Sequence, residues 1–318
     1  MTRLLAVSDL HIGHTGNREV VAAIRPDSPD DWLIVAGDVA EKTDAIRWAL
    51  GTLRDRFAKV IWVPGNHELW TTARDPLHRR GEGRYQHLVD VCRALDIVTP
   101  EDPYLVWEGA GGPVLLVPMF LLYDYSFLPP EARTKREGLA LAEARGSVAT
   151  DEQLLTCDPY AAREDWCRER VAYTRARLDA LDPGMPLVLI NHFPLTRQPV
   201  ERLFRSEFAL WCGTELTADW HRRYNVRCVV YGHLHIRRTD HFDGVRFEEV
   251  SIGYPREWQR RGLPEPLLRE ILPGRTESPR AGSALGRRAA ARAWRLARGL
   301  TRKVESRQVI DEQGTLPR

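Results

Sequence analysis

An α/β protein with a layered core is the fold class this sequence predicts, and three observations predict it. Short apolar and β-branched runs recur along the chain, longer amphipathic stretches lie between them, and clusters of Asp, Asn and His follow several of the runs directly. The runs that read as buried strands are Leu4 to Ser8, Trp32 to Ala36, Val60 to Val63, Val114 to Pro118, Leu187 to Ile190 and Val229 to Tyr231. Helical spacing of apolar residues marks Asp44 to Phe57, Tyr85 to Leu95 and Ala161 to Leu181. A last run, Val245 to Ile252, alternates in character after the turn Phe242-Asp243-Gly244, which predicts antiparallel addition to a sheet. Gly109 to Gly112 reads as a turn, because it lacks the Lys and Ser/Thr of a phosphate-binding loop.

With 318 residues, 43% of them apolar, the chain is long enough to bury a proper core in one large domain or two small ones. It carries no internal repeat. Two stretches break the alternation, Phe120 to Asp158 and Thr196 to Trp220; both are rich in aromatics and read as long excursions of the kind that serve as lids or binding loops. The expected organisation is a catalytic domain over 1–272 and a basic tail over 273–318, flexible apart from a candidate helix at Ala289 to Lys303. From Leu272 onward there are eleven Lys or Arg against four Asp or Glu, which leaves the preceding body at −5 although the whole chain is +2. A mildly acidic body argues against a nuclease and against nucleic-acid partners. The tail has two readings, a solvated appendage or a surface for an acidic protein or anionic membrane. The start MTRLLAVSDL has no basic stretch followed by a long apolar run, and the five cysteines are odd in number without Cys-x-x-Cys spacing. A cytoplasmic protein with reduced, packing cysteines is therefore expected.

The chemistry lies at the strand ends. Asp9-Leu10-His11 follows the first run, Gly37-Asp38-Val39-Ala40-Glu41 the second, and Gly65-Asn66-His67-Glu68 the third; Asn191-His192 and Gly232-His233-Leu234-His235 follow two later ones. Strand ends are where α/β folds gather ligands. These residue types suit metal ions: an Asp-x-His pair leaving a strand would project both side chains to one face, a carboxylate such as Asp38 can bridge two cations, Asn supplies a neutral oxygen, and imidazoles favour Mn, Fe or Zn over Ca or Mg. Glycines beside Asp38, Asn66 and His233 are read as permitting tight turns near the ions.

As an ordered set, these five motifs resemble the calcineurin-like metallophosphoesterase superfamily. The resemblance implies a four-layer αββα sandwich, two mixed β-sheets flanked by helices. It implies that Asp9, His11 and His235 hold one metal, that Asn66, His192 and His233 hold a second, and that Asp38 bridges them, with Mn and/or Fe, or Zn, as the cofactors. His67 would be the catalytic histidine outside the metal shell. Glu41 stands where many members carry Asp; at a predicted helix start, it has a capping role to weigh against a catalytic one. Longer stretches, among them SPDDWLIVAGDVAE, FAKVIWVPGNHELWTT, VPMFLLYDYSFLP and GYPREW, are similar to the bacterial 4′-phosphopantetheinyl hydrolases. That narrower resemblance implies a phosphodiesterase whose partner and substrate is an acyl carrier protein bearing the pantetheine arm.

A long, largely uncharged arm needs an amphipathic groove, which Phe120, Tyr123, Tyr125, Phe127, Phe193, Phe208 and Trp211 would supply; alternatively these rings pack the excursions onto the core. The remaining histidines, His14, His78, His87, His221 and His241, are read as ordinary, with His14 the one candidate for flanking the site. Rival functions are a phosphodiesterase for cyclic nucleotides or other small diesters, and a non-catalytic scaffold. Loss of ligand histidines would mark the scaffold, and none of the expected ligands is missing.

Overall fold

The computed structural model describes residues 2–71 and 78–274. The first half of the chain runs β1 (Leu4–Val7), α1 (Asn17–Ala23), β2 (Trp32–Ala36), α2 (Thr43–Arg54), β3 (Lys59–Val63), α3 (Asn66–Leu69), α4 (Gly81–Ala94), β4 (Leu105–Trp107) and β5 (Val114–Pro118). It continues with α5 (Lys135–Ala144), α6 (Asp151–Leu154), α7 (Arg163–Asp179), β6 (Leu187–Ile190), α8 (Trp220–Arg223), β7 (Val226–Tyr231), β8 (Arg238–Phe242), β9 (Val245–Glu249), α9 (Pro255–Arg261) and β10 (Arg269–Leu272). The strands form two mixed sheets, β10-β1-β2-β3 and β4-β5-β6-β7-β9-β8, in which β10, β4 and β8 are the antiparallel members.

Period-two alternation builds the layers. Leu4 and Ala6 of β1, Ile34 and Ala36 of β2 and Ile61 and Val63 of β3 join Val114, Leu116, Val188, Ile190, Cys228 and Val230 in one cluster between the sheets. The intervening residues, such as Leu5, Val7, Leu33, Val35 and Trp62, face outward into a larger cluster that includes the buried sides of α1, α2, α4 and α7. Both faces of each central strand are thus apolar, which is why these runs read as continuous rather than alternating. The result is an α/β sandwich of two mixed sheets flanked by helices.

Val245 onward does form a strand, antiparallel to β8 as its turn requires, but parallel to its other neighbour β7. The aromatic excursions also differ from one of their readings. Of the seven rings singled out, Phe120, Tyr123, Tyr125, Phe127, Phe193 and Trp211 are buried in the core cluster and Phe208 alone shows substantial exposure; Phe204, outside that set, is fully exposed. The buried rings pack the excursions down; they do not line an open groove. All five cysteines are free. Among the described residues no helix is long and apolar enough to cross a membrane. The candidate tail helix and nearly all of the tail lie outside the described residues.

Candidate metal centre

The two sheets meet where β1 and β9 end. Ser8 pairs with Ser251 across the junction, its amide donating to Val250 O at 3.2 Å, while the Ile252 amide donates to Ser8 O at 3.0 Å. The loops carrying the chemistry leave the strands here: Asp9 and His11 after β1, Asp38 after β2, Asn66 and His67 opening α3 after β3, His192 after β6, and His233 and His235 after β7. They are tied together by main-chain bonds, Asp9 N to Gly37 O and His11 N to Asp38 O at 3.0 Å each, and Gly232 N to His192 O at 2.9 Å.

Asp9 and His11 do not project together through strand alternation, because both lie beyond the strand with left-handed backbone, φ 54° and 40°. Asp38, His233 and His235 share that conformation at 54°, 70° and 54°. Non-glycine residues seldom adopt it, and its concentration at one site is a mark of function. Two of the glycines serve close approach of the chain rather than a turn. A Cβ on Gly65 would lie 2.1 Å from Asp38 Oδ1, and one on Gly232 would lie 2.3 Å from Asp9 Oδ2.

The donor atoms converge in two principal groups, Asp9 with His11 and His235, and Asp38 with His192 and His233; a third grouping joins His11 and Asp38 to His67. Asp9 Oδ1 is 3.0 Å from His235 Nε2 and 3.8 Å from His11 Nε2, while Asp38 Oδ2 is 3.4 Å from His192 Nε2 and 3.8 Å from His11 Nε2. His11 Nε2 and His235 Nε2 face each other at 3.3 Å, as do His233 Nδ1 and His192 Nε2 at 3.2 Å. Nitrogens this close to each other are spaced as two ligands of one cation would be. Asn66 Oδ1 is buried and has no hydrogen-bond partner among the described residues, which leaves it free to serve as a ligand oxygen.

Hydrogen bonds behind the cluster aim the donors. His192 Nδ1 is 2.9 Å from Ala36 O, and His235 Nδ1 is 2.9 Å from Glu257 Oε2, so each ring turns its Nε2 toward the centre. Asp9 Oδ2 receives the Ser8 and Ser251 hydroxyls at 2.5 and 2.7 Å, while Oδ1 faces the imidazoles. Ser251 also meets Glu249, whose carboxyl burial and the Asp9 charge push up to about 6. Glu68 accepts the amides of Asp38, Val39 and Gly65 at 2.9, 2.8 and 3.0 Å, bracing the β2 and β3 loops against each other.

The electrostatics favour positive charge. Burial disfavours a charged ring, yet the Asp9 carboxylate pushes His235, and the Asp38 carboxylate pushes His192, up to about 10. His233, part-buried beside His192, is pushed down to about 3 by desolvation and the charge of that ring. The two carboxylates therefore favour protonated neighbouring rings, and cations bound there would take the place of those protons.

His67 is set apart by its partners. Its Nδ1 is 2.9 Å from Glu41 Oε1, its Nε2 lies 3.9 Å from Asp38 Oδ2 and 3.3 Å from the Tyr254 hydroxyl, and its ring rests 3.8 Å from that of Trp70. Burial works against its charged form, but Asp38 and the Glu41 bond outweigh burial and raise its pKa. Glu41 does not cap α2, whose N-cap is Lys42 without a side-chain bond; its carboxylate belongs to His67. His14 flanks the site after all, exposed, with its ring 5.1 Å from Tyr254. Sequence reasoning missed Tyr254, Glu257 and Asp151. The first two lie in the familiar GYPREW stretch, a signal available from the residues alone, whereas Asp151 sits unmarked in an excursion.

The calcineurin-like phosphoesterase family model matches residues 2–237. The chain is 63% identical over 276 residues to the [acyl-carrier-protein] phosphodiesterase PptH of Mycobacterium tuberculosis, covering 87% of this chain and 85% of that one. The crystal structure of phosphopantetheinyl hydrolase (PptH) from Mycobacterium tuberculosis superposes with a TM-score of 0.86 at 62% identity, covering 88% of this chain and 99% of that one.

Proposed function

The chain belongs to the calcineurin-like phosphoesterase family, and from that premise we propose that it is a metal-dependent phosphodiesterase of holo acyl carrier proteins. It hydrolyses the diester that joins 4′-phosphopantetheine to a serine, giving apo carrier protein and 4′-phosphopantetheine. The observation that carries this reading is the 63% identity over 87% of the chain to an enzyme named for that activity. The donor cluster supports it, because the residues needed for chemistry converge.

In this reading Asp9, His11 and His235 would hold one cation and Asn66, His192 and His233 the other, with Asp38 shared between the two. Two such ions, Mn and/or Fe with Zn as the alternative, supply a polarised phosphoryl group and a water of lowered pKa at neutral pH. The protein's own groups do the rest. Glu41 accepts a hydrogen bond from Nδ1–H of His67, which orients the ring and favours its doubly protonated form, so that Nε2–H is the proton given to the departing serine oxygen, leaving a neutral ring with its proton on Nδ1. General-acid assistance of this kind is typically worth roughly 100- to 10,000-fold. Residues 1–272 form the catalytic domain and 273–318 the basic tail in this scheme. The five unpaired cysteines suit the reducing cytoplasm to which we assign the enzyme.

The test is direct. Holo acyl carrier protein incubated with the enzyme and Mn²⁺ should lose the mass of the phosphopantetheine arm by mass spectrometry. An intact arm, alongside rapid cleavage of cyclic nucleotides, would overturn the assignment.

A further inference from the structure

Asn66 has an amide, and an amide can face the metal cluster with either its oxygen or its nitrogen. Only the oxygen is a ligand. What settles the choice is a carboxylate from far along the chain: Asp151 Oδ1 is 2.9 Å from Asn66 Nδ2, and Asp151 is buried. A carboxylate accepts hydrogen bonds and cannot donate them, so the amide nitrogen must lie on its side and Oδ1 on the other. The same Asp151 oxygen accepts Trp70 Nε1 at 2.6 Å, and its second oxygen accepts the Tyr123 hydroxyl at 3.0 Å. The Trp70 ring in turn backs His67. One carboxylate thus holds a ligand candidate and the support of its neighbouring histidine.

Asp151 opens α6, inside the excursion that follows β5, and that segment is clamped to the α3 region by more than this residue. Thr71 N donates to Leu154 O at 2.9 Å and Trp70 pairs with Leu155 in an antiparallel bridge, while Arg163 of α7 donates to Asp151 O at 2.6 Å. Resting on the reading of Asn66 as a ligand, we propose that Asp151 is a positioning residue for the metal centre: it locks the Asn66 amide with its oxygen toward the cation. The excursion is on this account a structural part of the metal centre.

The experiment uses the full chain, stripped of metal and titrated with Mn²⁺ alone. Asp151→Leu removes the acceptor at similar volume; Asp151→Asn keeps an oxygen for Asn66 and Trp70 and turns its amide nitrogen to Tyr123. Wild type should bind two Mn²⁺ per chain and give the electron paramagnetic resonance spectrum of a coupled pair. In Asp151→Leu one site should weaken by about 10- to 100-fold, the usual effect of losing a residue that orients a ligand, and an isolated-Mn²⁺ spectrum should appear. Asp151→Asn should stay within about threefold of wild type, well short of that loss. Equal affinity of Asp151→Leu and wild type at both sites would overturn the proposal, as would an Asp151→Asn as weak as Asp151→Leu. If the metal-free circular dichroism of Asp151→Leu departs from wild type, Asp151→Ser, too short to reach Asn66, takes its place with the same expectation. A wild type that binds no pair of ions would instead sink the reading of the metal centre itself, before any variant is compared.

Discussion

Replacing His67 tests the chemistry with the least ambiguity, because it separates proton delivery from metal binding. If Nε2 gives a proton to the leaving serine oxygen, His67→Ala should slow cleavage of holo carrier protein by roughly 100- to 10,000-fold, equivalent to about 2.7–5.5 kcal/mol of transition-state stabilisation. A nitrophenyl phosphodiester, whose leaving group is a weak base, needs no such proton and should lose less than about tenfold. Glu41 acts only through the ring, by the 2.9 Å bond to Nδ1. Its carboxylate is about a quarter exposed, which argues for the low end of a charge-assisted bond, about 1.5 kcal/mol, or tenfold in kcat for Glu41→Gln. Because the two act in series, the double variant should be no slower than His67→Ala alone. Steady-state rates on both substrates, with metal content measured on the same preparations, decide the matter. Additive losses in the double variant would refute the linkage, and an unchanged rate on carrier protein in His67→Ala would remove the histidine from the mechanism.

Glu257→Ala deletes the acceptor that turns His235 and also bonds Tyr254 N at 3.0 Å; Mn²⁺ affinity should fall by about 10- to 100-fold in titration, and an unchanged affinity would leave Glu257 without that role. Gly65→Ala forces a methyl against Asp38 Oδ1 at 2.1 Å, and urea unfolding should show a loss of about 1–3 kcal/mol, as for other overpacked sites. Chelation should lower Tm and restored Mn²⁺ should recover it, since each site filled at a hundred times its Kd contributes about 2.7 kcal/mol. Glu101, held by Arg170 and the Tyr85 hydroxyl at 2.5 and 2.6 Å, has its pKa lowered: burial raises it, but the Arg170 charge and the tyrosine bonds outweigh burial. A depressed carboxylate contributes stability above its ordinary value of 4.5 that is lost as pH falls through its folded value. The stability gap between wild type and Glu101→Gln should therefore narrow below that pH, and a gap that widens there would contradict the assignment.

How far the sequence reveals this molecule follows from what each side chain must do. Central strands such as Trp32–Ala36 and Leu187–Ile190 are buried on both faces, so hydrophobicity alone outlines them. Two edge strands escape such a reading for the opposite reason: β8, Arg-Thr-Asp-His-Phe, and β10, Arg-Glu-Ile-Leu, carry the charged residues that protect a sheet edge. The candidate metal donors are legible because Asp, Asn and His directly after an apolar run are chemically distinctive. The carboxylates that aim them are not, since Asp151 and Glu257 are acidic residues like many others until the fold brings them to Asn66 and His235. The excursion aromatics were evenly balanced between groove and packing, and composition cannot break that tie; burial does, with Tyr123 and Tyr125 spending their hydroxyls on Asp151 and Glu152.

The strained backbone explains why so much structure is devoted to so few donors. Left-handed conformations at Asp9, His11, Asp38, His233 and His235 each cost of order 1–3 kcal/mol, and converging carboxylates such as Asp9 and Asp38 repel. Bound ions would relieve the repulsion but not the torsional strain, because φ is set by the chain and not by the ligand. Something in the protein must hold the turns, and the bonds are visible: Asp9 N and His11 N on the β2 loop, Glu68 on three amides, His233 N on Asp9. Each ties one ligand loop to another, so no turn can relax without disturbing its neighbour. Short parallel strands, apolar on both faces, anchor the ends of those turns. The αββα architecture is thus the source of preorganisation: its strands and the bonds between their loops keep five left-handed residues at one place.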